Sequence, residues 1–138
     1  MRRSWQNLRS DHFRELACIQ YTSGTTGRPK GAGLCFEGIL MNARGTAERL
    51  GVIAEDRWTS IIPQFHCAGR IMNVLASLSV GATYVGIRAF GAGRMLRLIE
   101  RKRCTLLTGV PTSYLAMLDH PPQTAGRQLQ DLIACLTY

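Results

Sequence analysis

Tyr21-Thr22-Ser23-Gly24-Thr25-Thr26-Gly27-Arg28-Pro29-Lys30-Gly31 places three glycines, four aliphatic hydroxyls and a lysine within eleven residues. Glycine tolerates positive φ and lets backbone N–H groups approach an anion without a Cβ in the way. Ser and Thr hydroxyls donate to phosphate oxygens and also ligate Mg²⁺. Lys30 adds a mobile positive charge. The stretch is not the G-x-x-x-x-G-K-[ST] phosphate loop, because Pro29 precedes Lys30 and Gly31 follows it. Composition alone leaves open a glycine-rich turn that holds nothing.

The flanks show what the stretch joins. Ala17 to Thr22 reads as a short buried strand and Ala32 to Phe36 as a second, so the bend from 23 to 31 closes a hairpin-like unit. Gly38 to Leu50 has helical spacing, with Leu40, Ala43, Ala47 and Leu50 on one side and Gly51 placed to end it. Strands are predicted over Arg57–Ile62, Ala82–Ile87 and Cys104–Thr108. Helices are predicted over Ala68–Leu78, Ala92–Arg103 and from Pro111 to about Leu118. Leu129 to Leu136 reads as a helix, or as a helix running into a strand. Alternation of this kind from Arg57 onward predicts an α/β fold with a mixed, largely parallel sheet and flanking helices. Residues 1–16 form a polar lead-in, and 17–138 form the domain.

Bulk properties narrow the class. The 138 residues carry 17 Lys and Arg against 9 Asp and Glu, a net charge of +8, with 15 of the cations Arg. The arginines are scattered. The one local cluster, Arg97, Arg101, Lys102 and Arg103, fits a solvated helix end. Aromatic residues do not interleave with it as in a single-strand binder, so nucleic acid is not the expected partner. Five cysteines without C-x-x-C spacing suggest neither a disulfide framework nor a zinc site. Reduced thiols in a cytoplasmic protein are the expectation. No apolar run is long enough for a transmembrane segment, and the two arginines at the N-terminus precede no apolar run of a signal peptide.

The eleven-residue stretch resembles, without a break, the signature loop of the AMP-forming adenylate synthetases. That superfamily includes acyl-CoA synthetases, aryl-CoA ligases, luciferases and peptide-synthetase adenylation domains. The resemblance implies that Thr22, Ser23, Gly24, Thr25, Thr26, Gly27 and Lys30 contact the ATP phosphates, that Thr22 helps hold Mg²⁺, and that Arg28 has no assigned role. Ile62-Pro63-Gln64-Phe65-His66-Cys67-Ala68-Gly69 is similar to the family's P-x-F-H-x-x-G segment. By itself His66 also reads as a structural histidine; the resemblance places it at the acyl pocket and thiol channel, and makes Gly69 a close-packing position beside the substrate. Gly81-Ala82-Thr83-Tyr84-Val85 and Thr108-Gly109-Val110-Pro111-Thr112 look like family scaffold without catalytic role. Where the family often has Thr-His, this chain has Cys35-Phe36, which implies that a polar contact there is lost.

The resemblance spans residues 17–133 and implies the partial N-terminal domain of an AMP-dependent synthetase. The implied reaction activates a carboxylic acid with ATP and transfers the acyl group to coenzyme A, with His66 and Lys30 as the catalytic residues. The Q-F-H-C-A-G sequence looks more like acyl- or aryl-CoA ligases, including those of fatty acid metabolism, than peptide-synthetase domains. The family's later motifs, with the second Mg²⁺ ligand, the nucleoside pocket and the adenylation lysine, are not in the sequence. The isolated chain is therefore expected to be a fragment of a ligase, inactive by itself and binding ATP or pyrophosphate weakly. The alternative is a non-catalytic remnant or interaction module that retains the loop. The identity of the acid and the oligomeric state are not legible.

Overall fold

The computed structural model describes residues 14–24, 27–120 and 134–137. Two antiparallel strands, β1 (Leu16–Thr22) and β2 (Lys30–Cys35), form a separate hairpin sheet in which Thr22 stands opposite Lys30 and Gln20 opposite Ala32. Glycine at 31 and 33 lets β1 side chains lean across the ladder. A Cβ at Gly31 would lie 2.8 Å from Ile19 Cγ2, and one at Gly33 would lie 3.0 Å from Leu16 Cδ1.

β2 runs directly into α1 (Phe36–Arg49). Cys35 is the N-cap, with its Sγ accepting from the Gly38 N–H at 3.4 Å. A thiol can serve here because a cap needs only a short side chain with an acceptor at its tip. The cap also ends β2 at Cys35, one residue short of the expected Phe36. On α1 the buried line is Ala43 and Ala47, with Ile39 half-buried; Leu40 and Leu50 are 40% and 37% exposed. The buried stripe is thus narrower than expected, since two alanines bring the helix close to its neighbours.

The main sheet has four parallel strands in the order β4 (Thr83–Val85), β3 (Arg57–Ser60), β5 (Leu106–Gly109), β6 (Ala134–Thr137). The expected mixed, largely parallel α/β architecture is therefore present: the antiparallel pairing is confined to the hairpin. β6 makes residues 134–136 of the 129–136 reading a strand; residues 129–133 lie outside the described residues. β3 stops at Ser60, short of the expected Ile62, because the Ser60 hydroxyl accepts the Ile62 N–H at 3.0 Å and turns the chain. β5 starts at Leu106 because α3 (Ala92–Lys102) ends in a Schellman-type turn. Arg103 has φ 48°, and the Cys104 N–H donates to Ile99 O at 3.0 Å.

The chain leaves β3 toward β4 and then returns past β3 to β5 and β6. Parallel crossovers share one hand, so reversing direction moves the connecting helix to the other face of the sheet. The core divides accordingly. Trp58 and Leu106 pack with Ala43 and Ala47 of α1 and with Ile71 and Ala76 on one face. Val85 and Leu107 pack with Met95, Leu96 and Ile99 of α3 and with Met117 of α4 (Pro111–Leu118) on the other.

The segment expected to be one helix over Ala68–Leu78 is π-helical over Ala68–Leu75 and becomes α2 only at Ala76–Ser79. Asn73 supplies the local reason: its buried side-chain amide donates to Ala68 O, five residues back, at 2.5 Å. The wider turn is the geometry of i→i+5 bonding.

Candidate functional site

In an open parallel sheet, ligands settle outside the carboxyl ends of the strands where the strand order reverses. Here that point lies between β3 and β5. Two loops leave it: Ile61–Cys67, carrying His66, and Val110, which leads into α4. A Cβ at Gly109 would lie 2.8 Å from Ser113 Oγ and 3.0 Å from Ile61 Cδ1, so glycine lets the two loops pack against each other.

The His66 loop is held at several points. The His66 N–H donates to Pro63 O at 3.0 Å, and the Arg70 N–H to His66 O at 3.1 Å. Gly69 packs under the loop: a Cβ there would stand 2.3 Å from Pro63 O and 2.8 Å from Ile62 O. The tight approach at Gly69 is therefore to the chain's own backbone. Gln64 hydrogen-bonds Tyr84 of β4, and burial raises the Tyr84 phenol above its ordinary pKa, partly offset by that bond.

His66 itself is exposed, and its Nδ1 lies 3.1 Å from the Ala68 N–H. A backbone N–H can only donate, so Nδ1 is the acceptor and a neutral ring carries its proton on Nε2. His66 thus presents an Nε2–H donor whose tautomer is set by the helix start. Cys67 Sγ stands 3.9 Å from the same Nδ1.

The glycine-rich bend sits at the turn end of the hairpin, where Thr22 pairs with Lys30. Gly24 has φ 52°, and a Cβ there would lie 2.2 Å from Arg28 O; Gly27 has φ 78° with open space around it. Thr22, Ser23 and Lys30 are exposed and Gly24 is half-buried. The bend is open to solvent at these positions rather than packed under neighbouring side chains. Thr25 and Thr26 lie outside the described residues.

The structure also ties the two motifs together, through residues that sequence reading did not single out. Gln20, two residues before Thr22, donates from Nε2 to Phe65 O at 3.3 Å. Arg70 Nη2 donates to Gln20 Oε1 and to Cys18 Sγ, each at 3.3 Å. These pairs are separated by 45 to 52 residues in sequence. No local pattern marks them. A 370 Å³ apolar cavity lies behind this junction, lined by Leu34, Cys35, Ile39, Cys67, Ile71 and Met72 among others. Among the described residues no group of three or more His, Cys, Asp or Glu could hold a metal ion, and Cys18, Cys35, Cys67 and Cys104 are free. No described helix is long and apolar enough to cross a membrane.

A parallel sheet with helices on both faces and a hairpin sheet beside it is the fold of the N-terminal domain of AMP-forming synthetases, as solved structures show. The AMP-binding enzyme family model matches residues 4–137, and the chain belongs to that family. It is 43% identical over 103 residues to YngI of Bacillus subtilis, an acyl-CoA synthetase by name, covering 75% of this chain and 19% of that protein. It is 36% identical over 107 residues to a feruloyl-CoA synthase of Amycolatopsis sp, covering 78% of this chain and 22% of the relative. O-succinylbenzoate coenzyme A synthetase (MenE) from Bacillus subtilis, solved in complex with ATP and magnesium ion, superposes with a TM-score of 0.78 at 30% identity. The match covers 91% of this chain and 25% of that one. The chain thus spans about a fifth of the length of the curated relatives it matches.

Proposed function

We propose that this chain is the phosphate-gripping and acyl-positioning part of an AMP-forming acyl- or aryl-CoA ligase. The reaction joins a carboxylate to the α-phosphate of ATP, releasing pyrophosphate, and coenzyme A thiol then displaces AMP to give a thioester. The observation that carries the reading is the open bend at the hairpin end, with Gly24 and Gly27 at positive φ and Lys30 standing opposite Thr22.

In this reading Thr22, Ser23, Gly24, Thr25, Thr26, Gly27 and Lys30 bind the polyphosphate, and the Lys30 ammonium offsets the charge that develops on the leaving pyrophosphate. The hard hydroxyl oxygen of Thr22 suits Mg²⁺, which would neutralise phosphate charge when bound. The loop from 21 to 31 holds no carboxylate, so Thr22 would share the ion with the phosphates and with a ligand from elsewhere. His66 offers its Nε2–H to the acyl carbonyl oxygen, where a donor stabilises the oxyanion that forms when the coenzyme A thiol adds to the acyl-adenylate. Fatty and aryl acids are the substrate classes supported by the relatives' names, a long-chain-fatty-acid–CoA ligase and a feruloyl-CoA synthase. The cytoplasm, which supplies ATP and keeps thiols reduced, is the compartment this reading expects.

Two measurements test it. Isothermal titration of this chain with pyrophosphate should show saturable binding of about millimolar strength, since ordering a flexible loop costs about 1–2 kcal/mol per residue. The Lys30→Ala variant should weaken that binding by about tenfold, in line with losing one charge-assisted contact. Absence of saturable pyrophosphate binding by the wild-type chain overturns the phosphate role of the bend. A full-length ligase carrying this segment should catalyse ATP–pyrophosphate exchange dependent on a carboxylic acid; exchange independent of any acid in a fatty and aryl panel overturns the ligase assignment.

A further inference from the structure

The bend at 21–31 and the loop ending at His66 lie on different sheets, and a reaction using both needs them in fixed register. Gln20 lies on β1, two residues before Thr22, and is half-buried. Arg70, also half-buried, lies on the π-helical segment that follows the His66 loop.

An amide can be placed either way round, but an arginine side chain offers only donors. Arg70 Nη2, 3.3 Å away, therefore fixes Oε1 of Gln20 toward itself. Nε2 is left to donate through its two protons, to Phe65 O, the carbonyl immediately before His66, at 3.3 Å, and to Tyr21 O at 3.4 Å. The second contact of Arg70, to Cys18 Sγ on the same strand, prevents the guanidinium from following Gln20 alone. Gln20 is thus a two-ended strut: one end is held by the helix and the other holds the backbone next to His66, while its own backbone is in the ladder that carries Thr22 and Lys30.

We propose that Gln20 and Arg70 are positioning residues that couple the phosphate bend to His66, so that an anion bound at the hairpin end is felt at the imidazole. The inference rests on the reading of the bend as a polyphosphate site. It adds a connection between that site and the histidine that neither motif contains. Arg70 follows His66 by four residues and its N–H is bonded to His66 O in an α-type i→i−4 bond, so that strut and histidine share one short segment.

The test uses this chain with inorganic pyrophosphate as probe, and reads the Gly24 and Gly27 amide resonances together with the His66 ring resonances by NMR. In the wild type, pyrophosphate should shift both sets. Gln20→Glu retains an acceptor for Arg70, and hence the tether, but has no donor for Phe65 O. It should keep the glycine shifts and lose at least about half of the His66 shift at saturation, the scale on which residues along a coupling path act. Arg70→Met should do the same by freeing the Gln20 amide, and Arg70→Lys, which keeps a donor, should recover most of the His66 response. A thermal melt of each variant separates loss of coupling from loss of fold. If the glycines shift in the wild type and His66 does not, or if the full His66 shift survives in Gln20→Glu and Arg70→Met, the coupling is wrong while the phosphate site stands. If neither set shifts in the wild type, both fall.

Discussion

Gly24 is the residue at which the bend depends most visibly on having no side chain. Its φ of 52° is a conformation L residues rarely hold, and a Cβ would stand 2.2 Å from the Arg28 carbonyl oxygen. Gly27 shares the left-handed backbone at φ 78° but has open space around it. Gly24→Ala should therefore open the bend and abolish pyrophosphate binding. Gly27→Ala should cost only its backbone preference, about 1 kcal/mol. Titration of both variants checks the ordering: equal losses would show that conformation rather than space controls the bend. The positive φ of both glycines was legible in the sequence, because the demand is local; the close approach of Arg28 O to Gly24 was not. Gln20 and Arg70 were not, because nothing within several residues of either states what it will meet.

At the scale of elements, the entry to α1 turns on one atom. Cys35 caps the helix with sulfur, a weak acceptor, at 3.4 Å from the Gly38 N–H. Cys35→Ser puts a stronger acceptor at a position where it is preferred, and should raise stability by about 0.5–1 kcal/mol. Cys35→Ala should lower it by a similar amount, both read from urea unfolding midpoints. The exit of α3 makes a second prediction. Cys104, buried just after the helix, has its thiol pushed up to about 11 from 9.0 by burial, a rise that Arg57 and Lys102 nearby partly oppose. A group whose folded pKa is raised contributes stability that is intact below its unfolded value. Stability should accordingly fall as pH rises from about 9 toward 11, and Cys104→Ala should flatten that dependence. In the folded chain at pH 8, iodoacetamide should label Cys18, Cys35 and Cys67 well before Cys104, as peptide mass mapping can show. The expected helix over 68–78 illustrates what periodicity misses: its apolar spacing suits α and π turns nearly alike. Gly69 under Pro63 and Asn73 on Ala68 O accompany the wider turn, and the sequence shows neither contact.

The whole molecule hinges on the strand pair at which the sheet reverses direction. Trp58 of β3 is fully buried, and its indole N–H donates to Thr108 Oγ1 of β5 at 2.7 Å, across the switch point. Trp58→Phe removes volume and leaves the buried hydroxyl without that donor. A loss of about 2–4 kcal/mol is expected, a large share of the 5–15 kcal/mol typical of a domain. Urea denaturation followed by circular dichroism checks it; a change below about 0.5 kcal/mol, the level of an ordinary surface substitution, would show that neighbouring side chains refill the space. The alternation of strands and helices after Arg57 already implied a largely parallel sheet. Short-range pattern could not say that β3 is flanked by β4 and β5, or that the hairpin forms a sheet of its own.

The sequence by itself determined the order of elements as far as α4, the largely parallel α/β class, and the places of the glycine-rich bend and the histidine loop in the chain. Each follows from backbone preference, periodicity or side-chain chemistry acting within a few residues. Tertiary structure alone decided which strands are neighbours, which side chains of α1 are buried, and that Gln20 and Arg70 span from the hairpin to His66. Those outcomes depend on groups some 50 positions apart in the chain, such as Gln20 with Arg70 and Trp58 with Thr108. Only packing brings such groups within hydrogen-bonding distance.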